Sequence, residues 1–209
     1  MMKFFIFTQL KITVNTMCLN LTIPKKRFYW LFILCVLFNS SITNGETHDD
    51  DSLSKINNYR EYSPIFSSSG QVSSNDLNNI MKSGVKRIIY LAYNNQEKSL
   101  PNEDRLVRKL GMQYIHIPVE WSSPEINDFQ LFAAVMQQNP SMPTLLHCQV
   151  NYRASVFSFL YRVIYLGVDM KEAKSDMNSI WKPNETWTKF IFQILEMNKI
   201  DPACDQCTW

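Results

Sequence analysis

The stretch Leu145-Leu146-His147-Cys148 is an apolar run that stops at a His-Cys pair, and Arg153 follows five positions after the cysteine. Behind Arg153 comes a strongly apolar segment, residues 153–167, that closes on Gly167. A short buried strand, a tight loop and a buried helix fit this order. A strand this apolar has no face to show to water, so it belongs inside a sheet covered on both sides. This unit constrains the fold more than any other part of the chain.

The flanking sequence repeats the alternation. Residues 63–71 read as a short strand and turn, and residues 73–84 as a helix with serine capping candidates and a terminal glycine. Residues 85–92 are rich in β-branched and apolar side chains and read as a strand. Residues 102–111 form a helix with acids in its first turn, and residues 112–119 the next strand. In residues 123–140 the side chains of Phe129, Phe132, Ala133 and Met136 share one helical face. Two more helices fit residues 169–181 and 184–198. The fold class is therefore α/β, with a mostly parallel central sheet flanked by helices on both faces. In such sheets ligands sit at the carboxyl ends of the strands, and Cys148 is at one of them.

That position gives the Cys148–Arg153 loop a chemistry. The first turn of a helix leaves amide donors unpaired and carries partial positive charge, which favours an anion or a thiolate. Arg153 adds a fork of donors suited to phosphate oxygens. The combination is at once an anion cradle and a nucleophile. A buried structural cysteine beside an ordinary arginine is the plainer reading of these two residues taken alone. His147 either holds the loop or is a satisfied core histidine.

Charge and cysteines depend on where the mature chain starts. Residues 1–45 run from a basic stretch through an apolar run, Phe28 to Phe38, into small and polar residues. This is the layout of a secretory signal, and the apolar run is half the ~20 residues a membrane span needs. An uncleaved anchor is the alternative, Met17 an alternative start. Leu34 before Cys35 argues against a lipoprotein. This segment holds five of the 21 Lys and Arg and none of the 19 Asp and Glu, so the rest carries 16 against 19, a net charge of −3. No basic stripe remains to suggest nucleic acid. Residues 46–60 read as a flexible polar lead-in, residues 61–198 as the domain, and residues 199–209 as a tail holding Cys204 and Cys207. A local disulfide or a loose tail fits these two, and two cysteines alone do not make a zinc site. Cys148 is then a lone thiol in an exported protein.

Several motifs in order carry a resemblance. They are Gly70, Gln71 and Ser73; Trp121 and Pro124 in VEWSSP; HCQVNYRAS; and Trp181, Pro183, Trp187 and Phe190. The loop resembles the signature of the cysteine-based protein tyrosine phosphatase superfamily, which begins His-Cys and ends Arg-Ser/Thr. From about Ile56 to Phe190 the chain is similar to a mainly bacterial branch related to the dual-specificity phosphatases. That branch includes the phosphatase-like domain of beta-lactamase-hydrolase-like proteins. The resemblance implies the cysteine-based phosphatase fold and phosphomonoester hydrolysis, with Cys148 as nucleophile and Arg153 stabilising charge. It makes Glu120 the acid, where relatives commonly carry Asp before the Trp, with Asp128 the next candidate. It makes Gln149, Val150, Asn151, Tyr152 and Ser155 the substrate-binding lining. Trp181 and Trp187 read as core anchors. No cofactor or metal is implied, and the expected partner is a phosphorylated protein or a small phosphate ester.

Three departures qualify the expected activity. Four residues separate Cys148 from Arg153, where the wider superfamily has five and the related branch is similarly short. The loop has no glycine, and Asn151 is its best candidate for a left-handed conformation. Ala154 stands where Ser or Thr is usual, which shifts any hydroxyl contact with the thiolate to Ser155. A rhodanese-like sulfurtransferase and an anion- or partner-binding module without turnover are the rival classes. Export implies a periplasmic or secreted protein, or one held at the membrane by the N-terminal segment. Intact-mass measurement of the native protein should find its first residue between Asn44 and Thr47; a chain beginning at Met1 would refute cleavage.

Overall fold

The computed structural model describes residues 51–203 and Trp209. The expected export segment, Cys204 and Cys207 lie outside the described residues. The strands are β1 (Arg60–Ser63), β2 (Phe66–Ser69), β3 (Arg87–Tyr90), β4 (Gln113–His116) and β5 (Thr144–His147). The helices are α1 (Asp51–Ser54), α2 (Ser74–Lys82), α3 (Glu103–Lys109), α4 (Ile126–Gln138), α5 (Tyr152–Tyr165), α6 (Met170–Ile180) and α7 (Glu185–Met197). One five-stranded sheet has the order β1-β2-β5-β3-β4, and only the β1–β2 pair is antiparallel.

Strand periodicity sorts the core into two layers. Ile88 and Leu145 pack with Leu53, Ile56, Leu77, Ile80 and Val107, on the side of α1, α2 and α3. Their neighbours Ile89 and Leu146 face the opposite way, among Phe129, Phe132, Phe157, Met177, Trp187 and Ile194 of α4 to α7. The face expected of residues 123–140 is the buried one, with Phe129, Phe132, Ala133 and Met136 all inside. Buried Arg87 links the layers' edges: its Nε donates to Thr144 Oγ1 at 2.9 Å and its Nη1 to Val135 O at 2.8 Å. Arg162 of α5 donates to Asp176 of α6 at 2.7 Å, and Arg60 of β1 pairs with the same carboxylate.

The polar lead-in needs correction. Residues 51–60 carry helix α1 and the start of β1, and they bury Leu53 and Ile56 in the layer of Ile88 and Leu145. Two apolar side chains in a polar stretch make no periodic signal; the groove they fill comes from α2 and the sheet. Helix α4 also starts at Ile126 rather than at Ser123, because Glu125 and Asp128 close a capping box there.

The register matters most for function. Ser69, His147 and Tyr90 are aligned partners, and Tyr90 in turn aligns with His116. The four parallel strands therefore end level, and the loop after β5 emerges between neighbours on both sides. Trp187, fully buried, donates its Nε1 to Trp121 O at 3.1 Å and so ties α7 to the loop after β4. Trp187→Ala should cost about 3–5 kcal/mol in chemical denaturation; a loss under ~1 kcal/mol would show that this anchor is dispensable.

Candidate active site

Cys148 is fully buried at the end of β5, and its amide donates to Ser69 O at 3.3 Å. The next residues turn the chain into α5 without a glycine. Asn151 adopts φ +67° and is the N-cap of α5, the left-handed position expected of it. The first bond of the helix runs from Ser155 N to Asn151 O at 2.9 Å. The amides of Tyr152, Arg153 and Ala154 therefore have no acceptor within the helix.

Arg153 turns toward the loop after β4. Its Nε donates to Val119 O at 3.0 Å, and its guanidinium carbon lies 5.3 Å from the centre of the Trp121 ring. It makes no ion pair among the described residues. A single Nε bond fixes the fork while its terminal nitrogens keep their donors. Trp121 is itself held between Trp181 and Trp187, each 5.4 Å away between ring centres. Tyr152 stacks on Trp181 at 4.6 Å and 9°. The loops after β4 and β5 are thus locked together by aromatic packing and by Arg153. Trp181 and Trp187 are anchors, as read from sequence.

Glu120 lies next to this clamp but points into water. Its Oε1 accepts from Ser122 Oγ at 2.9 Å and from Ser122 N at 3.2 Å. These bonds hold its carboxyl below the usual carboxylate range, with a smaller contribution from the Arg153 charge. A proton donor needs the opposite bias. Asp128 is pushed up by burial, but its Oδ2 accepts from Glu125 N at 3.1 Å and caps α4.

The other lining candidates divide. The Gln149 side chain is engaged by neighbours: its Nε2 shares its two N–H groups among Tyr90 Oη at 2.7 Å, Gln71 Oε1 at 3.1 Å and Ser99 Oγ at 3.2 Å. A five-atom amide reaches the polar groups beneath the loop more easily than it can fold back over it. Ser155 is also committed elsewhere, since its hydroxyl donates to Tyr152 O at 3.0 Å and accepts from Trp181 Nε1 at 3.1 Å. Val150 contributes its backbone, whose carbonyl accepts from Asn58 Nδ2 at 2.9 Å. Asn151 Nδ2 returns a bond to Asn58 O at 2.6 Å. Beneath the cysteine, fully buried His147 stacks on Tyr90 at 4.6 Å, and its Nε2 stands 2.8 Å from buried Glu103 Oε1. That contact is close but lacks hydrogen-bond alignment. Glu103 Oε2 accepts from Gln71 Nε2 at 3.4 Å.

Sequence reasoning did not single out Asn58 or Glu103. Asn58 sits in a stretch with no periodic pattern, and Glu103 reads as an ordinary first-turn acid. The motif containing Gln71 was visible, but its bonding partners were not.

A parallel sheet of this order, with a cysteine loop at its carboxyl edge leading into a buried helix, is the fold of the cysteine-based phosphatases. A family model described as DSP-PTPase phosphatase fused to NAD+ kinase matches residues 40–189, and the chain belongs to that family. Among solved structures, it is similar to a candidate phosphatase (DUF442) from Shewanella putrefaciens CN-32, with 28% identity and a TM-score of 0.65 over 71% of this chain and 97% of that one. PTPMT1 in complex with PI(5)P shares the fold at 12% identity and a TM-score of 0.58, over 68% of this chain and 96% of that one. P. aeruginosa TpbA in complex with pTyr shares it at 14% identity and 0.53, over 64% and 82%. No curated protein matches the sequence.

Ser122→Ala removes one of the bonds that keep Glu120 ionised, so the Glu120 carboxyl should titrate at higher pH. NMR titration of the side-chain carboxyl should show that upward shift; an unchanged midpoint would assign the bias to the backbone amides and the Arg153 charge.

Proposed function

We propose that this protein hydrolyses phosphate monoesters on Cys148. The supporting observation is the loop itself. A buried thiol lies at the strand end, the unpaired first-turn amides of α5 follow it, and Arg153 is fixed to Val119 O. In this reading the Cys148 thiolate attacks phosphorus. An S–P bond forms as the P–O bond to the leaving group breaks, and the leaving oxygen takes a proton. Water then attacks the thiophosphate, the S–P bond breaks, and the products are inorganic phosphate and the thiolate. Arg153 and the first-turn amides stabilise the equatorial oxygens, where losing one donor costs on the order of 10²–10³-fold. Family membership supports a phosphatase-like reading, and phosphate-ester chemistry is consistent with the pTyr and PI(5)P complexes of the neighbours that share its fold.

Glu120 is the proposed leaving-group acid, and its environment limits it. A carboxyl held ionised by Ser122 donates little at neutral pH. The proposed enzyme therefore favours substrates whose leaving oxygen departs without a proton, such as aryl phosphates over alkyl phosphates. The same observation gives anion binding without turnover its support as a second reading.

With the purified domain, a chromogenic aryl phosphate should be hydrolysed, Cys148→Ser should fall to background, and Arg153→Lys should lose about 10²–10³-fold in kcat/KM. Vanadate should protect Cys148 from alkylation. Glu120→Gln should slow an alkyl phosphate more than an aryl one, with the acid-dependent rate falling off at lower pH than for an ordinary glutamate. Protection without phosphate release would identify a binding module. Thiocyanate formation from thiosulfate and cyanide, with no phosphate release, would identify a sulfurtransferase.

A further inference from the structure

The anion loop lacks the glycines that would let it turn freely, yet Asn151 holds φ +67° fully buried. A non-glycine residue in that region needs support from its surroundings. The support comes from a second left-handed asparagine, Asn58 at φ +51°, in the segment before β1. The two segments exchange a pair of side-chain bonds. Asn58 Nδ2 donates to Val150 O at 2.9 Å, and Asn151 Nδ2 donates to Asn58 O at 2.6 Å. The same turn is fastened to the sheet, because Gly70 N donates to Asn57 O at 2.7 Å. A Cβ on Gly70 would come within 2.8 Å of that carbonyl, so the close approach requires glycine. Next to it Gln71 N donates to Gln149 O at 3.1 Å.

Consecutive carbonyls of the loop, at Gln149 and Val150, are thus held by groups outside it. The peptide plane is rigid, so fixing these carbonyls also fixes where α5 begins. The start of α5 sets the direction of its first-turn amides and the position of Arg153 relative to Cys148. We infer that Asn58 is a positioning residue for the anion cradle: it replaces the missing loop glycines with an external two-bond clamp. This inference rests on the proposed anion chemistry of the site. Asn58 is exposed, so its effect should appear in anion affinity more than in stability.

The experiment uses vanadate competition with alkylation of Cys148, which needs no turnover, and thermal melting of the same samples. Asn58→Gly keeps the positive φ and the backbone acceptor for Asn151, and removes only the bond to Val150 O. Asn151→Gly keeps φ +67° and removes only the reciprocal bond; it serves as the second variant should Asn58→Gly fail to fold. Each should raise the half-protecting vanadate concentration by about 10- to 100-fold, the scale of a displaced site, with a Tm shift of no more than a few degrees. The double variant should be little worse than either single one, because both remove one clamp. Wild-type protection with unchanged vanadate concentrations in both variants would overturn the positioning role while leaving the phosphatase reading intact. A fall in Tm with no change in vanadate affinity would likewise reduce Asn58 to a structural residue. Failure of vanadate to protect the wild type would overturn both.

Discussion

The pairing of β5 between β2 and β3 is the constraint from which the rest of the site follows. Ser69, His147 and Tyr90 align across three strands, so the chain can leave β5 only at the middle of the carboxyl edge. Slipping that register by one residue would turn Leu145 and Leu146 to each other's layers and send Cys148 to the opposite face. The two apolar layers forbid the slip. Burial of Ile88 with Leu145 on one side and Ile89 with Leu146 on the other thereby fixes the position of the thiol, which is itself buried in the Ile89–Leu146 layer.

Two kinds of contact shape the loop above that thiol. On one side the aromatic group of Trp121, Tyr152, Trp181 and Trp187 joins the loops after β4 and β5 and draws Arg153 over the Trp121 ring. On the other, hydrogen bonds from Asn58 and Gln71 hold the loop carbonyls. The first is apolar and non-directional, which suits it to bearing load. The second is directional, which suits it to aiming peptide groups. Under the loop, Gln149, Tyr90, Ser99 and Gln71 satisfy one another, and Glu103 stands against His147. Such a polar floor is costly unless paired, and its members bracket Cys148 in sequence through His147 and Gln149.

Electrostatically the site is asymmetric. In the proposed reading, Arg153 and the first turn of α5 receive the negative charge of a bound phosphate. Glu120, on the facing loop, is steered by Ser122 into solvent and kept ionised. The proposed preference for aryl esters rests on this asymmetry, since such a leaving group departs without a proton.

Much of this was legible in the sequence. The parallel α/β order followed from apolar runs alternating with helical faces, because strand and helix periods differ and each must bury its apolar side. The Cys148 loop followed from residue type and spacing, whereas the left-handed role of Asn151 and the anchoring role of Trp187 came from residue type read beside the family resemblance. Tertiary structure alone decided which way Gln149 and Ser155 point, since each could reach several polar partners and only the packed neighbours select among them. It also decided that Asn58 belongs to the site: 93 residues separate it from Asn151, and no local pattern records a pairing over that distance. The same holds for the charge state of Glu120, which depends on Ser122 folding back over its carboxylate. Periodicity and chain propensity are local properties that a sequence carries by itself, whereas the orientation of a polar side chain depends on groups that only the completed fold brings near.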